Sequence, residues 1–327
     1  MDSQISKIGV FTSGGDAPGM NAALRAVVRA AIYYKKEVYG IVRGYEGMID
    51  GEIVKLGARS VGNIIQRGGT ILKSARSKAF RTVEGREKAF QNIKKHGIDA
   101  LVAIGGDGTF TGLHKFYEEF QIPSVCIPGT IDNDLAGTDY TIGYDTATNT
   151  AVEAIDKIRD TALSHNRLFF IEVMGRHSGY IAINSGLAGG AAAIIIPEDG
   201  LDFDEFFRLL EPDNPISKKS NLVVVAEGSK IGGANELAKK VAERSSYFDI
   251  KVTILGHLQR GGTPTYFDRV LASKMGVAAV EGLLNGQNDV MVGVRNNQMV
   301  YNKFDDVMSQ HHEIDSESLR IAKILSI

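Results

Sequence analysis

A chain of 327 residues is longer than most single domains, which predicts two domains. Hydrophobic residues make up 43% and charged residues 23%, the balance of an ordinary globular protein, and the formal net charge of −2 favours neither nucleic acid nor an anionic membrane surface as a partner. Because no apolar run reaches about 18 residues, the sequence predicts no membrane span.

The number of cysteines indicates which cellular compartment, reducing or oxidising, to expect for this protein. The single cysteine, Cys126, excludes an internal disulfide framework, and its apolar neighbours predict a buried side chain rather than a nucleophile. The first residues contain no apolar secretory core. We therefore expect a protein of the reducing cytoplasm.

Short apolar runs rich in β-branched residues alternate with amphipathic stretches along the chain. The apolar runs predict strands at Lys7–Phe11, Val38–Val42, Ala100–Ile104, Ser124–Ile127, Leu168–Val173, Ala192–Ile196, Leu222–Ala226 and Val252–Leu255. Apolar side chains at helical spacing predict helices at Met20–Tyr34, Arg86–His96, Phe110–Glu119, Ala147–Ser164, Asp204–Leu210, Asn235–Ser245 and Arg269–Asn285. This alternation favours an α/β fold with parallel sheets covered by helices.

A glycine-rich turn, Thr12-Ser-Gly-Gly-Asp-Ala-Pro-Gly19, follows the first predicted strand and opens onto a predicted helix. The free N–H groups of a helix N-terminus suit phosphate, although an ordinary strand-to-helix turn explains this segment equally well. The turn lacks the G-x-G-x-x-G spacing, and Lys73-Ser74 lacks the glycine that precedes lysine in a Walker A loop. A nucleotide site in this chain must therefore belong to another class.

The second turn, Gly105-Gly-Asp-Gly-Thr109, places one carboxylate among three glycines at the end of a buried strand. Backbone N–H groups at such a sheet edge attract phosphate, whereas Asp107 would repel it. A divalent cation between the two removes this conflict, so the segment predicts metal-assisted phosphoryl chemistry. The alternative is that Asp107 only caps the helix that follows.

Two further groups of polar residues follow predicted strands. In Pro128-Gly-Thr-Ile-Asp-Asn-Asp134, Asp132 could accept a hydroxyl proton and Asp134 could help to hold a metal, although an Asx-rich turn is the alternative. The other group follows three later strands and suits anions and sugar hydroxyls, although solvated or helix-capping side chains would look the same. Its members are Met174-Gly-Arg176, Glu227, His257 and Arg260.

Together these motifs resemble those of the bacterial ATP-dependent 6-phosphofructokinases of the short homotetrameric type. The resemblance runs collinearly from Lys7 to about Asp306. It rests on Thr-Ser-Gly-Gly-Asp-Ala-Pro-Gly-Met-Asn-Ala, Ile-Gly-Gly-Asp-Gly-Thr, Pro-Gly-Thr-Ile-Asp-Asn-Asp, Glu-Val-Met-Gly-Arg and Leu-Gly-His-Leu-Gln-Arg-Gly-Gly. Five long motifs in the same order outweigh the simpler explanations that each allows alone.

The resemblance implies two doubly wound, Rossmann-like lobes with mostly parallel central sheets and an active site in the cleft between them. We expect a larger ATP-binding lobe from residues 1–143 and 259–309, and a smaller sugar-binding lobe from 144–258 and 310–327. The implied activity is glycolytic: Mg²⁺-dependent transfer of the γ-phosphoryl group of ATP to the 1-hydroxyl of fructose 6-phosphate, by a cytoplasmic homotetramer under allosteric control.

The resemblance also implies roles for individual residues. ATP would contact Gly15, Tyr45, Arg76, Ser77, Gly106, Asp107, Gly108 and Thr109, and Mg²⁺ would contact Asp107 and Asp134. Asp132 would be the catalytic base, assisted by Arg76, Thr130 and Arg176. The sugar phosphate would meet Thr130, Ile131, Asp132, Met174, Gly175, Arg176, Glu227, His257 and Arg260, with Arg167 and Lys251 supplied by a neighbouring subunit.

The choice of phosphoryl donor follows from two glycines. Pyrophosphate-using relatives carry Asp at the position of Gly108 and Lys at that of Gly129, so the two glycines favour ATP over pyrophosphate. A pyrophosphate-dependent kinase is therefore the first alternative. A non-catalytic regulatory subunit that binds sugar phosphate is the second alternative. Four intact residues argue against it: Asp107, Asp132, Arg76 and Arg176.

The chain departs from the family pattern at several positions. Lys251 stands where relatives usually have Arg, Lys73 where a Gly is common, and Ser77 where an aromatic residue often follows Arg76. The expected effector site for ADP or phosphoenolpyruvate would use Arg25, Arg29, Arg159, Gly190 and Lys218. Ala58 and Ile216 replace cationic residues there and Ala192 replaces a metal-binding Glu, so we expect altered effector control.

Overall fold

The computed structural model describes residues 5–162, 167–211, 222–310, 314 and 316–325. The chain divides into two compact units. The first comprises Met1–Thr146 and Arg260–His312, and the second comprises Ala147–Gln259 and Glu313–Ile327.

The first unit holds seven strands within the described residues. In chain order its elements are β1 (Lys7–Thr12), α1 (Met20–Tyr33), β2 (Glu37–Ile41), α2 (Gly44–Asp50), β3 (Ile53–Leu56), the 3₁₀ helix η1 (Ala79–Arg81), α3 (Val83–His96), β4 (Ala100–Gly105), α4 (Asp107–Phe120) and β5 (Ser124–Pro128). Helix α5 (Tyr144–Ala162) begins here and continues into the second unit.

The second unit begins at Ala147, inside α5, and the chain returns to the first unit at Arg260. The second unit contains β6 (Arg167–Val173), α6 (Tyr180–Ala188), β7 (Ala193–Ile195), α7 (Phe203–Leu210), β8 (Leu222–Ala226), α8 (Gly233–Arg244) and β9 (Asp249–Ile254). A 3₁₀ helix, η2 (Gly256–Arg260), leads back to α9 (Tyr266–Leu284), β10 (Val290–Arg295), β11 (Gln298–Lys303) and α10 (Phe304–Ser309) of the first unit. Helix α11 (Ser316–Leu325) belongs to the second.

The sheet of the first unit has the strand order β11-β10-β5-β4-β1-β2-β3. Strand β1 pairs in parallel with β2 on one side and β4 on the other, whereas the edge strands β3 and β11 are antiparallel to their neighbours. The order therefore reverses between β1 and β4. Ligands of open α/β sheets bind beyond the carboxyl ends of the strands at such a point.

The sheet of the second unit has the order β7-β8-β6-β9, and all its strand pairs are parallel. Each unit has its own hydrophobic core. Fully buried side chains of the first core include Phe11, Ile41, Leu101, Phe110, Phe116 and Phe304. Those of the second include Phe170, Val223, Val225, Leu237 and Val241.

The sequence prediction of mostly parallel α/β sheets is confirmed, and each of the eight predicted strands coincides with a strand of the structure. Each of the seven predicted helices also has its counterpart, although residues 163 and 164 of the predicted helix Ala147–Ser164 lie outside the described part of the chain. The prediction missed β3, β10, β11, α2, α6, α10 and α11. Burial of Cys126 is confirmed, and burial raises the pKa of its thiol.

The helices of the described residues do not combine the length and apolar character needed to cross a bilayer.

A buried carboxylate joins the starts of α5 and α9. Asp268, in the first turn of α9, is fully buried. Its Oδ1 accepts a hydrogen bond from the Gly143 N–H at 2.8 Å, and its Oδ2 accepts one from the Thr146 N–H at 2.9 Å and one from the Thr146 hydroxyl at 2.5 Å. The carboxylate thereby satisfies backbone donors at the N-terminus of α5. Burial raises the pKa of Asp268 to about 6.

This pKa predicts how Asp268 affects stability. Because the folded-state pKa of about 6 exceeds the ordinary 3.8, the folded protein retains the proton between these values, and the contribution of Asp268 to the free energy of unfolding falls as the pH rises through that window. The expected fall is about 3 kcal/mol. Asparagine does not titrate, so the difference in the free energy of unfolding between wild type and Asp268→Asn, measured by urea unfolding at several pH values, isolates the contribution of this carboxyl group. A difference that stays constant across this range would contradict it.

Candidate active site

A pocket of about 850 Å³ lies at the carboxyl edge of the first sheet, where the strand order reverses. The loops that follow β1, β4 and β5 contribute to its wall, together with the first turns of α4 and the segment before η1. Single residues of α2, α3 and η2 and two of η1 complete it. Its lining residues are Ser13, Gly14, Gly15, Tyr45, Ala75, Arg76, Ser77, Lys78, Phe80, Arg81, Arg86, Gly106, Asp107, Gly108, Thr109, Thr111, Gly112, Lys115, Gly129, Thr130, Asp132, Asp134 and Arg260. All eight residues predicted to contact ATP are included, and so are both predicted metal ligands.

In the loop after β1, the backbone at Gly15 lies against the side chain of Arg260. The Arg260 guanidinium lies so close to Gly15 that a Cβ atom built there would be 2.5 Å from Nη1. Nη1 also donates a hydrogen bond to the Asp16 carbonyl oxygen at 3.3 Å. Arg260 was predicted as a sugar-phosphate contact, and the structure places it beside the loop predicted for ATP.

The loop after β4 passes directly into α4. A Cβ atom at Gly105 would be 2.5 Å from the Ser13 carbonyl oxygen and 2.4 Å from the Thr109 hydroxyl, so only glycine fits there. Gly106 is the N-cap residue, and no side chain of the described residues caps this helix. Asp107 is instead the first helical residue, so the alternative that it is an N-cap is wrong. The open N-terminus of α4 suits an anion.

Gly108 has a different environment from Gly105. A Cβ atom at Gly108 would meet no atom of the described residues within 4 Å, and its φ lies outside the left-handed region. Neither packing nor backbone conformation therefore demands glycine at this position. Since Gly108 lines the pocket, the space above it is available to a ligand.

The loop after β5 turns at Asn133, which is buried and has a left-handed φ of 50°. Its side-chain oxygen accepts a hydrogen bond from the Thr141 N–H at 2.8 Å, and its amide nitrogen donates one to the Asp139 carbonyl oxygen at 3.3 Å. The amide thus ties this turn to residues 139 and 141 further along the chain, while Asp132 and Asp134 on either side of it both line the pocket. Thr130 lines the pocket as well, whereas the neighbouring Ile131 is fully buried.

An aromatic pair forms another part of the wall. The rings of Tyr45 and Phe80 stack with centroids 4.0 Å apart, and the Tyr45 hydroxyl donates a hydrogen bond to the Thr109 carbonyl oxygen at 2.5 Å. Burial raises the pKa of Tyr45 well above its ordinary value, so the hydroxyl remains a donor. Ser77 Oγ accepts a hydrogen bond from the Phe80 N–H at 3.1 Å, so this side chain binds the backbone of η1 from the preceding segment.

The pocket has an excess of positive charge. Among its described lining residues, six are cationic and three are acidic. Sequence reasoning missed several of the cations, notably Arg81 and Lys115. Lys115 and Thr111 follow Asp107 at intervals of four residues along α4, so helical spacing could have identified them.

In the second unit, predicted sugar contacts collect at one sheet edge. Met174 follows β6, Glu227 follows β8 and His257 follows β9, and these strands are parallel neighbours. The Glu227 N–H donates to the Val173 carbonyl oxygen at 2.9 Å. Gly175 has a left-handed φ of 137°, and the Gly228 N–H donates to its carbonyl oxygen at 3.1 Å, which fixes the segment leading to Arg176.

Arg167 and Lys251 lie near the other end of the same sheet. Arg167 is the first residue of β6, and Lys251 is paired with Phe169 across β6 and β9. Both cations contact Asp249, through Arg167 Nε at 3.1 Å and Lys251 Nζ at 2.6 Å. At about 3.3 Å per residue, the seven residues from Arg167 to Met174 along β6 span about 23 Å.

The predicted effector residues are distributed over both units. Arg25 and Arg29 lie one turn apart on α1, and Gly190 follows α6 with φ 57°. Arg159 lies on α5, and its buried Nη2 has no hydrogen-bond partner among the described residues. Lys218 and Ile216 lie outside the described residues. Ala58 is exposed and Ala192 is buried.

A metal site built from protein side chains alone is not present in the described part of the chain, where His, Cys, Asp and Glu form no suitable group of three. A Mg²⁺ site completed by a ligand needs fewer protein side chains. Mg²⁺ usually binds one or two carboxylates together with substrate phosphates and water. Asp107 and Asp134, both in the pocket lining, meet that requirement.

Sequence and structure comparisons identify the same family. The family model described as phosphofructokinase matches residues 7–283. The ATP-dependent 6-phosphofructokinase of Cytophaga hutchinsonii is 56% identical over 98% of this chain and 98% of its own length. The ATP-dependent 6-phosphofructokinase 1 of Thermus thermophilus is 55% identical over 99% of this chain and 100% of its own length. The structure of phosphofructokinase from Saccharomyces cerevisiae superposes with a TM-score of 0.87 at 36% identity, over 98% of this chain and 46% of that chain.

Proposed function

The chain belongs to the phosphofructokinase family, and we propose that it is a cytoplasmic, glycolytic, ATP-dependent 6-phosphofructokinase. It transfers the γ-phosphoryl group of ATP to the 1-hydroxyl of fructose 6-phosphate, giving ADP and fructose 1,6-bisphosphate. The supporting observation is the cationic pocket at the point where the strand order reverses, which holds an open helix N-terminus and three carboxylates.

Mg²⁺ is the proposed cofactor. Asp107 and Asp134 would hold it, and when bound it neutralises charge on the transferring phosphates. The residues fit because the carboxylates lie in a pocket that otherwise favours anions. Arg76 and the N–H groups at the start of α4 bind and orient the phosphates from the protein side.

Asp132 is the proposed general base. Its carboxylate lies in the pocket wall and takes the proton of the 1-hydroxyl as that oxygen attacks the γ-phosphorus and the bond from that phosphorus to the ADP oxygen breaks. Thr130 is held in place because its carbonyl oxygen accepts the Thr141 hydroxyl at 2.6 Å and its Oγ1 accepts the Asp132 N–H at 3.3 Å. In this role Thr130 orients the loop that carries the base, and Arg176 adds positive charge at the sugar.

The sugar phosphate site is proposed to include a neighbouring subunit. Met174, Gly175, Arg176, Glu227 and His257 would hold one sugar from the carboxyl edge of the second sheet. Arg167 lies about 23 Å from Met174 along β6, and Lys251 of β9 is level with Phe169, about 17 Å from Met174 along the strand direction, so both fit a role in the site of another subunit better than in their own. This arrangement supports a homotetramer in which subunits share sugar sites.

Asp132→Ser tests the base. We expect kcat to fall by at least about 100-fold, because general base catalysis is lost, while the Kd for fructose 6-phosphate changes by less than about threefold. Steady-state kinetics and equilibrium sugar binding measure the two quantities. Asp139→Ser is a matched control in the same loop region, outside the pocket lining of the described residues. Near-normal turnover by Asp132→Ser would rule out the role.

The donor is tested by a coupled assay that offers ATP or pyrophosphate with fructose 6-phosphate. We expect turnover with ATP only, and we expect Gly108→Asp to raise the KM for ATP at least about tenfold because the new carboxylate occupies space needed by the nucleotide and repels its phosphates. The melting temperature should not fall, since an acidic residue is favourable in the first turn of a helix. Gly200→Asp is a matched control, because Gly200 also faces open space without a left-handed φ.

This assay also separates the alternatives. Turnover with pyrophosphate would support a pyrophosphate-dependent phosphofructokinase, and binding of sugar phosphate without turnover would support a non-catalytic regulatory subunit. The full-length similarity to ATP-dependent enzymes favours the main proposal over both.

Effector control is proposed to be altered. The Nη2 of Arg159, which has no hydrogen-bond partner within the described part of the chain, and the two cations on α1 suit an anionic effector such as ADP or phosphoenolpyruvate. Ala58 and Ala192, however, supply neither a cation nor a metal ligand. We therefore expect weak inhibition when phosphoenolpyruvate is titrated into the assay at subsaturating fructose 6-phosphate. Strong inhibition that ADP relieves would contradict this proposal.

A further inference from the structure

We infer that Arg86 and Glu119 form a positioning pair that holds the wall segment Ala75–Arg81 against α4 and thereby sets the affinity for the nucleotide. The inference rests on the proposed function, because it names residues that shape the same ATP pocket. Arg86 reaches the pocket lining, whereas Glu119 lies behind it and is outside that lining among the described residues. An effect of Glu119 on the nucleotide must therefore pass through Arg86.

The Arg86 guanidinium is almost fully engaged. Arg86 is 6% exposed, and its Nε and Nη2 donate to the two carboxylate oxygens of Glu119, each at 2.6 Å. Its Nη1 donates to the carbonyl oxygens of Phe80 at 3.1 Å and Arg81 at 2.9 Å. The hydrogen bond from Arg86 holds the pKa of Glu119 below its ordinary value, so the pair is ionic at neutral pH. Such a two-pronged pair fixes orientation as well as distance.

The carbonyl groups that Arg86 holds belong to the pocket wall. They lie in η1, which is only three residues long, and the preceding residues from Gly57 to Lys78 form no helix or strand. Because so short a helix supplies few hydrogen bonds of its own, the backbone at Phe80 and Arg81 depends on contacts from elsewhere. Arg86 supplies two of them.

The other end of the pair is part of α4. Glu119 lies near the end of this helix, whose first turn carries Asp107 and Gly108. The pair therefore connects the wall segment with the helix that begins at the phosphate end of the pocket. Phe80 makes a parallel link, because its ring stacks on Tyr45 with centroids 4.0 Å apart and on Phe116 of α4 with centroids 5.7 Å apart.

Close packing leaves little alternative to this arrangement. A Cβ atom at Gly85 would be 2.0 Å from the Ala79 carbonyl oxygen, so α3 begins in direct backbone contact with η1. Arg86, the next residue, is thus aimed at the η1 carbonyl groups. The guanidinium of this ion pair is buried and its carboxylate is partly exposed, with side-chain exposures of 7% and 23%. Even a fully buried ion pair contributes little net stability compared with apolar packing, and its characteristic effect is to specify geometry. The geometry specified here is that of the segment carrying Arg76, Ser77 and Arg81.

Glu119→Gln tests the inference in the full-length protein. We expect the Kd for ADP, measured calorimetrically, and the KM for ATP to rise about tenfold, because glutamine cannot hold the guanidinium through two charged contacts. The KM for fructose 6-phosphate should change by less than about twofold. Glu119→Asp, which keeps the charge, should recover part of the nucleotide affinity. A purely structural role would lower the melting temperature without this separation of the two substrates.

The matched control is Glu317→Gln. Glu317 accepts from Arg320 Nε and Nη2 at 2.7 Å each, the same two-pronged geometry on the exposed helix α11. This variant should bind ADP like wild type. Should Glu119→Gln fail to fold, Glu119→Ala, which also removes the carboxylate, decides the matter in the same measurements, with an unchanged Kd for ADP counting against the pair. Wild type that binds ADP, with Glu119→Gln binding it equally well, overturns this inference alone, whereas wild type that binds no ADP overturns the proposed function as well.

Discussion

The site depends on the close approach of two parallel strands, β1 and β4, between which the strand order of the sheet reverses. Strands β1 and β4 are neighbours through Thr12 and Ile104, and the Ser13 N–H continues the ladder by donating to the Ile104 carbonyl oxygen at 3.0 Å. Their loops are therefore pressed together, and Gly105 has no room for a side chain. Because the loops cannot move apart, the open start of α4 and the turn at Gly15 face the same volume. The phosphate end of the pocket follows from this constraint.

Glycines around the pocket serve two different purposes, and only one kind informs on the ligand. Gly105 is demanded by the protein itself, and Gly129 is nearly so, since a Cβ atom there would be 3.0 Å from Ile104 Cγ2 and 3.2 Å from Met20 Cε. Gly108 has no such requirement. Packing within the protein therefore explains the glycine at 129. Packing does not explain the glycine at 108, where the ligand is the remaining reason. Donor choice is argued more securely from Gly108 than from the two glycines together.

The sequence predicted what local patterns encode. Continuous apolar runs identified the buried parallel strands, whereas the half-exposed edge strands β3 and β11 lack such runs, and β10 is interrupted by Gly293, which the Gly137 carbonyl oxygen approaches closely. The carboxylates after β5 were visible as a cluster, but the left-handed turn at Asn133 depends on Thr141, which is eight residues away. The Arg86–Glu119 pair spans 33 residues and follows from no local periodicity. Contacts of this kind become readable only once the fold brings the elements together.

Lys73 and Ser77 depart from the family pattern, and hydrogen bonds hold the backbone at both positions. Lys73 has a φ of 58°, a conformation that costs a non-glycine residue about 1 kcal/mol. It persists because its carbonyl oxygen accepts the buried Thr12 hydroxyl at 2.8 Å and the preceding Leu72 carbonyl oxygen accepts the Arg43 N–H at 2.7 Å. Ser77 Oγ accepts the Phe80 N–H just before η1, and the aromatic surface of the wall comes from Tyr45 and Phe80. Since Arg86 also donates to the Phe80 carbonyl oxygen, this wall relies on an ion pair whose guanidinium is buried and whose carboxylate is partly exposed.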